Sequence, residues 1–109
     1  MKNFKTVFLE SADEFIQTLD TKTRKKLFQN IRIVEQGNNP KFFKKLNKDI
    51  WEFRVRFSNN QVRLLAFWDK RDNENSLVIA TNGFTKKTQK TPKKEIEKAE
   101  KIMKKYLED

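Results

Sequence analysis

Trp51-Glu52-Phe53-Arg54-Val55-Arg56-Phe57, then Ser58-Asn59-Asn60, then Val62-Arg63-Leu64-Leu65-Ala66-Phe67-Trp68 is the stretch that decides the fold. The first seven residues alternate apolar and charged, the period of a strand with one buried and one polar face. Ser58-Asn59-Asn60 carries turn chemistry and sends the chain back. The second run is apolar on both faces apart from Arg63, as an interior strand is. A polar turn from Asp69 to Asn75 follows, and Leu77 to Phe84 reads as a third, similarly buried strand.

On the N-terminal side, Lys5-Thr6-Val7-Phe8 is a short β-prone opening. Ser11 with Glu14 three residues on has the spacing of a capping box, and Phe15, Ile16 and Leu19 give the helix behind it an apolar edge. Asp20 or Thr21 recaps the chain. Leu27, Phe28, Ile31 and Val34 then recur at helical spacing up to Gly37, a natural stop. Two helices with so short a join make an antiparallel hairpin. Asn38-Asn39-Pro40 breaks the chain, and Lys41 to Leu46 is expected to form one helical turn. On the C-terminal side Thr91 caps, Pro92 takes the first helical position, and Ile96, Ala99, Ile102, Met103 and Tyr106 form a narrow apolar stripe. The expected order is βααβββα in one domain over residues 1–109, an α+β chain without repeats or linkers.

Composition narrows the function. Lys and Arg number 25 against 15 Asp and Glu, a net charge of +10, so a polyanionic partner is expected. Of nucleic acid, an acidic protein and a membrane surface, the membrane is the weakest, because no apolar run approaches the roughly 20 residues of a spanning helix. Cysteine and histidine are both absent. That excludes disulfides, thiolate nucleophiles and histidine bases, and leaves proton transfer to carboxylates, lysine, arginine or Tyr106. No signal peptide is read at the N-terminus, so the expected location is the cytoplasm.

Two features concentrate positive charge. The strand ending at Phe84 delivers Lys86, Lys87 and Lys90 into one loop, with hydroxyls at Thr85, Thr88 and Thr91 as further phosphate donors. Arg63 is the single charge in its apolar strand and must reach an edge, a ligand or a carboxylate, of which Glu52 is the obvious one. If the two strands pair through the Asn-rich turn, Arg54 comes close to Arg63, and the hairpin and the lysine loop share one concave cationic surface. Between Lys41 and Arg71 only Asp49, Glu52 and Asp69 oppose Lys41, Lys44, Lys45, Lys48, Arg54, Arg56, Arg63, Lys70 and Arg71. Such a surface binds a phosphodiester. It can also promote attack by a ribose 2′-hydroxyl, because preorganised cations stabilise the phosphorane and a lysine crowded by cations has a lowered pKa. Glu52 is the nearest candidate base. The lysines of the last helix alternate with Glu95, Glu97 and Glu100 and read mainly as a solvated face.

Val34-Glu35-Gln36-Gly37, Lys44-Lys45-Leu46, Ile50 to Arg54, Val62 to Phe67, Gly83 to Pro92 and Glu95 to Ala99 occur in the order in which the chain resembles the RelE/ParE superfamily of type II toxin–antitoxin toxins, in its HigB-like, phage-derived branch. The resemblance implies a RelE-like fold: an antiparallel sheet of about four strands packed on an N-terminal helical hairpin and a C-terminal helix. It also implies a ribosome-dependent, metal-independent mRNA endonuclease without cofactor, held inactive by a cognate antitoxin of helix-turn-helix type that alone touches operator DNA. Carried over by position, Arg54, Arg63 and Lys86 or Lys87 are the implied catalytic set. Lys90 is the helper to that set, and Lys90, Arg56, Lys44, Lys45 and Thr88 are the expected RNA contacts. The chain departs from relatives in lacking a tyrosine or histidine near the start of its last helix, and in having Glu52 where RelE has a lysine. A ParE-like gyrase poison, or a non-catalytic RNA- or antitoxin-binding module, are the alternatives on the same fold.

Overall fold

The computed structural model describes residues 3–37, 39–71, 77–86 and 90–108. Eight elements follow in the order β1 (Lys5–Phe8), α1 (Glu10–Thr18), α2 (Thr21–Gly37), β2 (Phe43–Lys45), β3 (Trp51–Phe57), β4 (Asn60–Trp68), β5 (Leu77–Thr85) and α3 (Lys93–Glu108). They build one five-stranded sheet in the order β1-β5-β4-β3-β2.

The sheet departs from the sequence expectation in two ways. Residues 43–45 pair antiparallel with β3 as a fifth strand, instead of continuing a helical turn. A tight turn does precede them, with the Phe42 and Phe43 amides both donating to the Asn39 carbonyl at 3.0 Å. The strand wins because the Phe43 ring is buried and stacks on Phe53 and Trp51 at centroid distances of 4.4 and 4.9 Å. The second departure is that β1 runs parallel to β5, so the sheet is mixed. The remaining pairs are antiparallel.

Central position explains why β4 is apolar on both faces. Val62, Leu64 and Ala66 join Phe53, Val55, Val78 and Ala80 under α1 and α2, which contribute Ala12, Ile16, Leu27, Ile31 and Val34. Leu65 and Phe67 point the other way and meet Ile50, Ile79 and Ala99 beneath α3. The molecule is thus a sheet with two helices on one face and one on the other. The helical pair rests on the sheet rather than chiefly on itself, α1 against β5 and α2 against β3.

Local chemistry sets the helix ends. The capping box expected at Ser11 and Glu14 does not form: the Leu9 amide is still bonded to the Ala80 carbonyl (3.1 Å), so the chain turns at Leu9 and the helix begins two residues earlier than that box requires. Asp20 caps α2, accepting from the Thr23 amide at 2.8 Å and its hydroxyl at 3.0 Å. Arg24 in α2 donates to the carbonyls of Ile16, Gln17 and Leu19, closing the end of α1. Gly37 is the last residue of α2 and stays out of the left-handed region. Pro92 stands one place ahead of α3, its carbonyl accepting the first helical bonds from Glu95 and Ile96. Among the described residues no helix is long and apolar enough to cross a membrane.

Candidate nucleic-acid interface

The β3–β4 hairpin turns through Ser58 and Asn59, with Ser58 at φ 58° and Phe57 opposite Asn60. This register sets Arg54 directly across from Arg63, Arg56 across from Gln61 and Glu52 across from Leu65. Lys44 on β2 faces Glu52. Opposed residues share a face, and alternation adds every second one. Lys44, Glu52, Arg54, Arg56 and Arg63 therefore all lie on the α3 side of the sheet. On β5 the ladder slips at Leu65/Ala66, leaving Thr81 without an opposite number and setting Phe84 across from Arg63.

Glu52 is the hub. It is only 2% exposed, and its Oε2 lies 3.5 Å from the Arg54 Nε and 3.6 Å from the Arg63 Nε. Its Oε1 accepts from the Thr91 hydroxyl at 2.5 Å. With both oxygens committed, Glu52 is suited to positioning rather than to taking a proton. Arg63 is 4% exposed and donates to the Val62 carbonyl and the Gln61 side-chain oxygen at 3.1 and 3.2 Å. Burial disfavours its charge, Glu52 restores it, and Arg54 opposes it. Arg54 keeps 31% of its side chain exposed, and Arg56 and Lys44 are exposed.

The loop after β5 closes onto this group. The Lys86 amide donates to the Gln61 carbonyl at 2.6 Å. Its amine is held below the ordinary lysine value, first by burial and then by Arg63, with Arg54 and Lys44 adding to the shift and Glu52 opposing it. Lys86, Arg63, Arg54 and Lys44 thus share one electrostatic site, with Glu52 as the acid among them. A second set of buried polar contacts steadies the start of α3: the Asn82 amide donates to the backbone and side chain of Glu95 at 3.2 and 3.3 Å, and the Thr81 hydroxyl to the Leu65 carbonyl and to Asn82.

The structure therefore brings Arg54, Arg63, Lys86, Arg56 and Lys44 together. Lys45 goes elsewhere, because it pairs with Trp51 and points to the opposite side. Lys90 stands exposed in the bend before α3. Lys87 and Thr88 lie outside the described residues. Tyr106 packs against Phe67, thirteen residues along α3 from Lys93, roughly 20 Å of helix from the end that Thr91 ties to Glu52. Gln61 and the bond from Thr91 to Glu52 went unread in the sequence. Gln61 is in phase with Arg63, a signal that was available, whereas a bond across 39 positions from Thr91 to Glu52 leaves no local trace. Among the described residues no three His, Cys, Asp or Glu side chains gather to hold a metal ion.

Known proteins agree with this architecture. Residues 14–104 match the family described as Phage derived protein Gp49-like (DUF891). No curated protein matches. Among solved structures, a mutant of the E. coli toxin RelE in the free state superposes with a TM-score of 0.64 at 19% identity, covering 93% of this chain and 97% of that one. The toxin–antitoxin complex RelBE2 of Mycobacterium tuberculosis gives 0.59 at 14% identity, covering 77% and 99%. The resemblance read from the sequence thus holds at the level of fold, and the chain belongs to the Gp49-like family of phage-derived proteins with a RelE-type α+β architecture.

Proposed function

We propose that the protein is the toxin of a type II toxin–antitoxin pair and cleaves mRNA on the ribosome. The observation that carries this reading is the meeting of Arg54, Arg63 and Lys86 around a single carboxylate at the end of a rigid sheet. Arg54 and Lys86, the more accessible members, meet the scissile phosphate. Arg63 acts from beneath, adding charge and fixing Gln61 and Glu52. In the reaction the ribose 2′-oxygen attacks phosphorus, the bond to the 5′-oxygen breaks, and the cations stabilise the phosphorane. Lys86, its amine acidified by burial and by Arg63, gives a proton to the departing 5′-oxygen, while the 2′-proton leaves to solvent. A cognate antitoxin of helix-turn-helix type silences the protein by covering these cations with acidic side chains.

Induced expression without the neighbouring antitoxin gene is expected to stop growth and to produce new 5′ ends within reading frames. Arg54→Ala or Lys86→Ala restores growth. Intact transcripts in arrested cells would rule out cleavage. Arg63's burial and the distance of Tyr106 favour one other reading, a non-catalytic module that only docks RNA or an acidic antitoxin. In that case expression alone is harmless. A gyrase poison instead yields DNA breaks with intact mRNA.

A further inference from the structure

Past the opposite end of β3 and β4 lies an open groove of about 700 Å³ that the cleavage reading leaves unused. Trp51, Trp68 and Met103 line it, and Lys45, Lys48 and Lys70 stand exposed around it. Of the other charged residues in its wall, Arg71 is already committed to Asp69 at 2.8 Å, so among the described lining residues Asp49 alone opposes three lysines. The aromatic floor is preformed. Trp51 stacks on Phe43 with rings 24° apart and meets Trp68 edge-on, and Trp68 is held in turn by Phe4 at 5.0 Å. The rim beside Lys48 is also fixed: Asn47 accepts from the amides of Asp49 and Ile50 and donates to Glu100 of α3.

Indole rings ringed by ammonium groups suit a ligand that alternates flat π-faces with negative charges, which is single-stranded nucleic acid. An acidic helix would need a longer apolar trough. The groove also lies within reach of the cationic hub. Trp51 is three residues from Arg54 along β3, roughly 10 Å of strand but on the other face, so an RNA strand passes from groove to hub around the β2 edge rather than straight along β3. Adjacent positions on β2 serve both places, Lys44 at the hub and Lys45 at the groove.

We propose that this groove is a second RNA site, which stacks unpaired bases on Trp51 and Trp68 and neutralises their phosphates with Lys45, Lys48 and Lys70. The inference deepens the RNA reading above, yet its test needs no cleavage. Both tryptophans of the chain line the groove, so intrinsic fluorescence reports on it directly. Titration with hexauridylate is expected to quench that fluorescence saturably. Neutralising about three phosphates predicts a salt slope near −2, hence roughly 20-fold weaker binding at 200 mM than at 50 mM salt. The triple variant Lys45→Ala/Lys48→Ala/Lys70→Ala, all exposed positions, shifts the midpoint at least tenfold, and Arg54→Ala keeps the full amplitude. No quench, an unshifted triple variant, or equal quenching by hexaglutamate would each overturn the proposal, the last by making the groove a docking site for acidic protein. Growth rescue by Arg54→Ala without quenching would leave cleavage standing and remove this site. Quenching with intact transcripts would do the reverse.

Discussion

Glu52→Gln is the most direct probe of the hub, because it removes one charge and little else. The amide retains an oxygen for the Thr91 hydroxyl, so the bond to the start of α3 survives. What disappears is the counter-charge to Arg63, which is 4% exposed, and to Arg54, whose side chain is 31% exposed. Breaking a buried ion pair from one side costs about 3–5 kcal/mol, since the remaining charge stays desolvated. The Arg54 contact, partly screened by water, adds at most about 1 kcal/mol. The Arg63 contact is long at 3.6 Å, which selects the lower part of that range, so a loss of about 3–4 kcal/mol is expected, a large share of a stability that for such domains is about 5–15 kcal/mol. For a domain of this size it lowers Tm by roughly 12–30 °C. Urea denaturation followed by circular dichroism measures it, with an unchanged m-value confirming that the native state itself is weakened. Two further readouts separate the hub from a generic core defect. Inorganic phosphate should restore stability to Glu52→Gln more than to the parent, because the vacated anion position binds only in the folded state. Glu52→Gln combined with Arg63→Gln should recover much of the loss. A change under about 1 kcal/mol, or no difference in phosphate response, refutes the claim that Glu52 holds these guanidiniums.

Other perturbations follow from the same geometry. Folding lowers the Lys86 pKa, so its charge opposes folding below the folded pKa, and that penalty fades as pH rises through it. Lys86→Met should therefore raise Tm at neutral pH while weakening RNA binding, and a lower Tm would contradict the shift. A methyl group at Gly83 would overlap the Phe15 ring of α1, so Gly83→Ala should cost about 1–3 kcal/mol by urea titration, with partial rescue by Phe15→Ala. Asp20 is held below its ordinary value of 3.8, first by the Thr23 amide. The parent's advantage over Asp20→Asn should be present above that value and vanish as pH falls through the lowered folded pKa, as seen in paired melts across the acid range.

Period-two alternation made β3 legible, and doubly apolar β4 could only be interior, so Arg54 and Arg63 were readable as neighbours before any coordinates. The buried state of Glu52 was not readable. In sequence it is one more charge on the polar side of β3, and its burial comes from Thr91 and Arg63, distant in the chain. Residues 43–45 misled for the opposite reason: a three-residue strand is too short for periodicity to show, and its identity rests on Phe43 fitting against Phe53 and Trp51. The capping box failed because β1 remains paired through Leu9, a tertiary bond that overrides a good local signal.

The slip at Thr81 decides whether the hub exists at all. Ala66 opposite Ala80 lies on the α1 and α2 side, so uninterrupted alternation along β5 would keep residues 82, 84 and 86 on that side too. The unpaired Thr81 reverses the phase. Asn82 then faces Leu65 on the α3 side, Gly83 turns toward Phe15, and Phe84 comes opposite Arg63. Lys86, two residues further on, follows Phe84 to the arginine side, in accord with Arg63 being the strongest charge acting on its amine. The same extra residue gives Thr81 the Leu65 carbonyl and Asn82 the contacts to Glu95 that steady α3. One inserted residue thus places the lysine, supplies the glycine gap that α1 needs, and fastens the helix whose preceding Thr91 reaches Glu52. Register, not charge content, is what gathers these cations in one place.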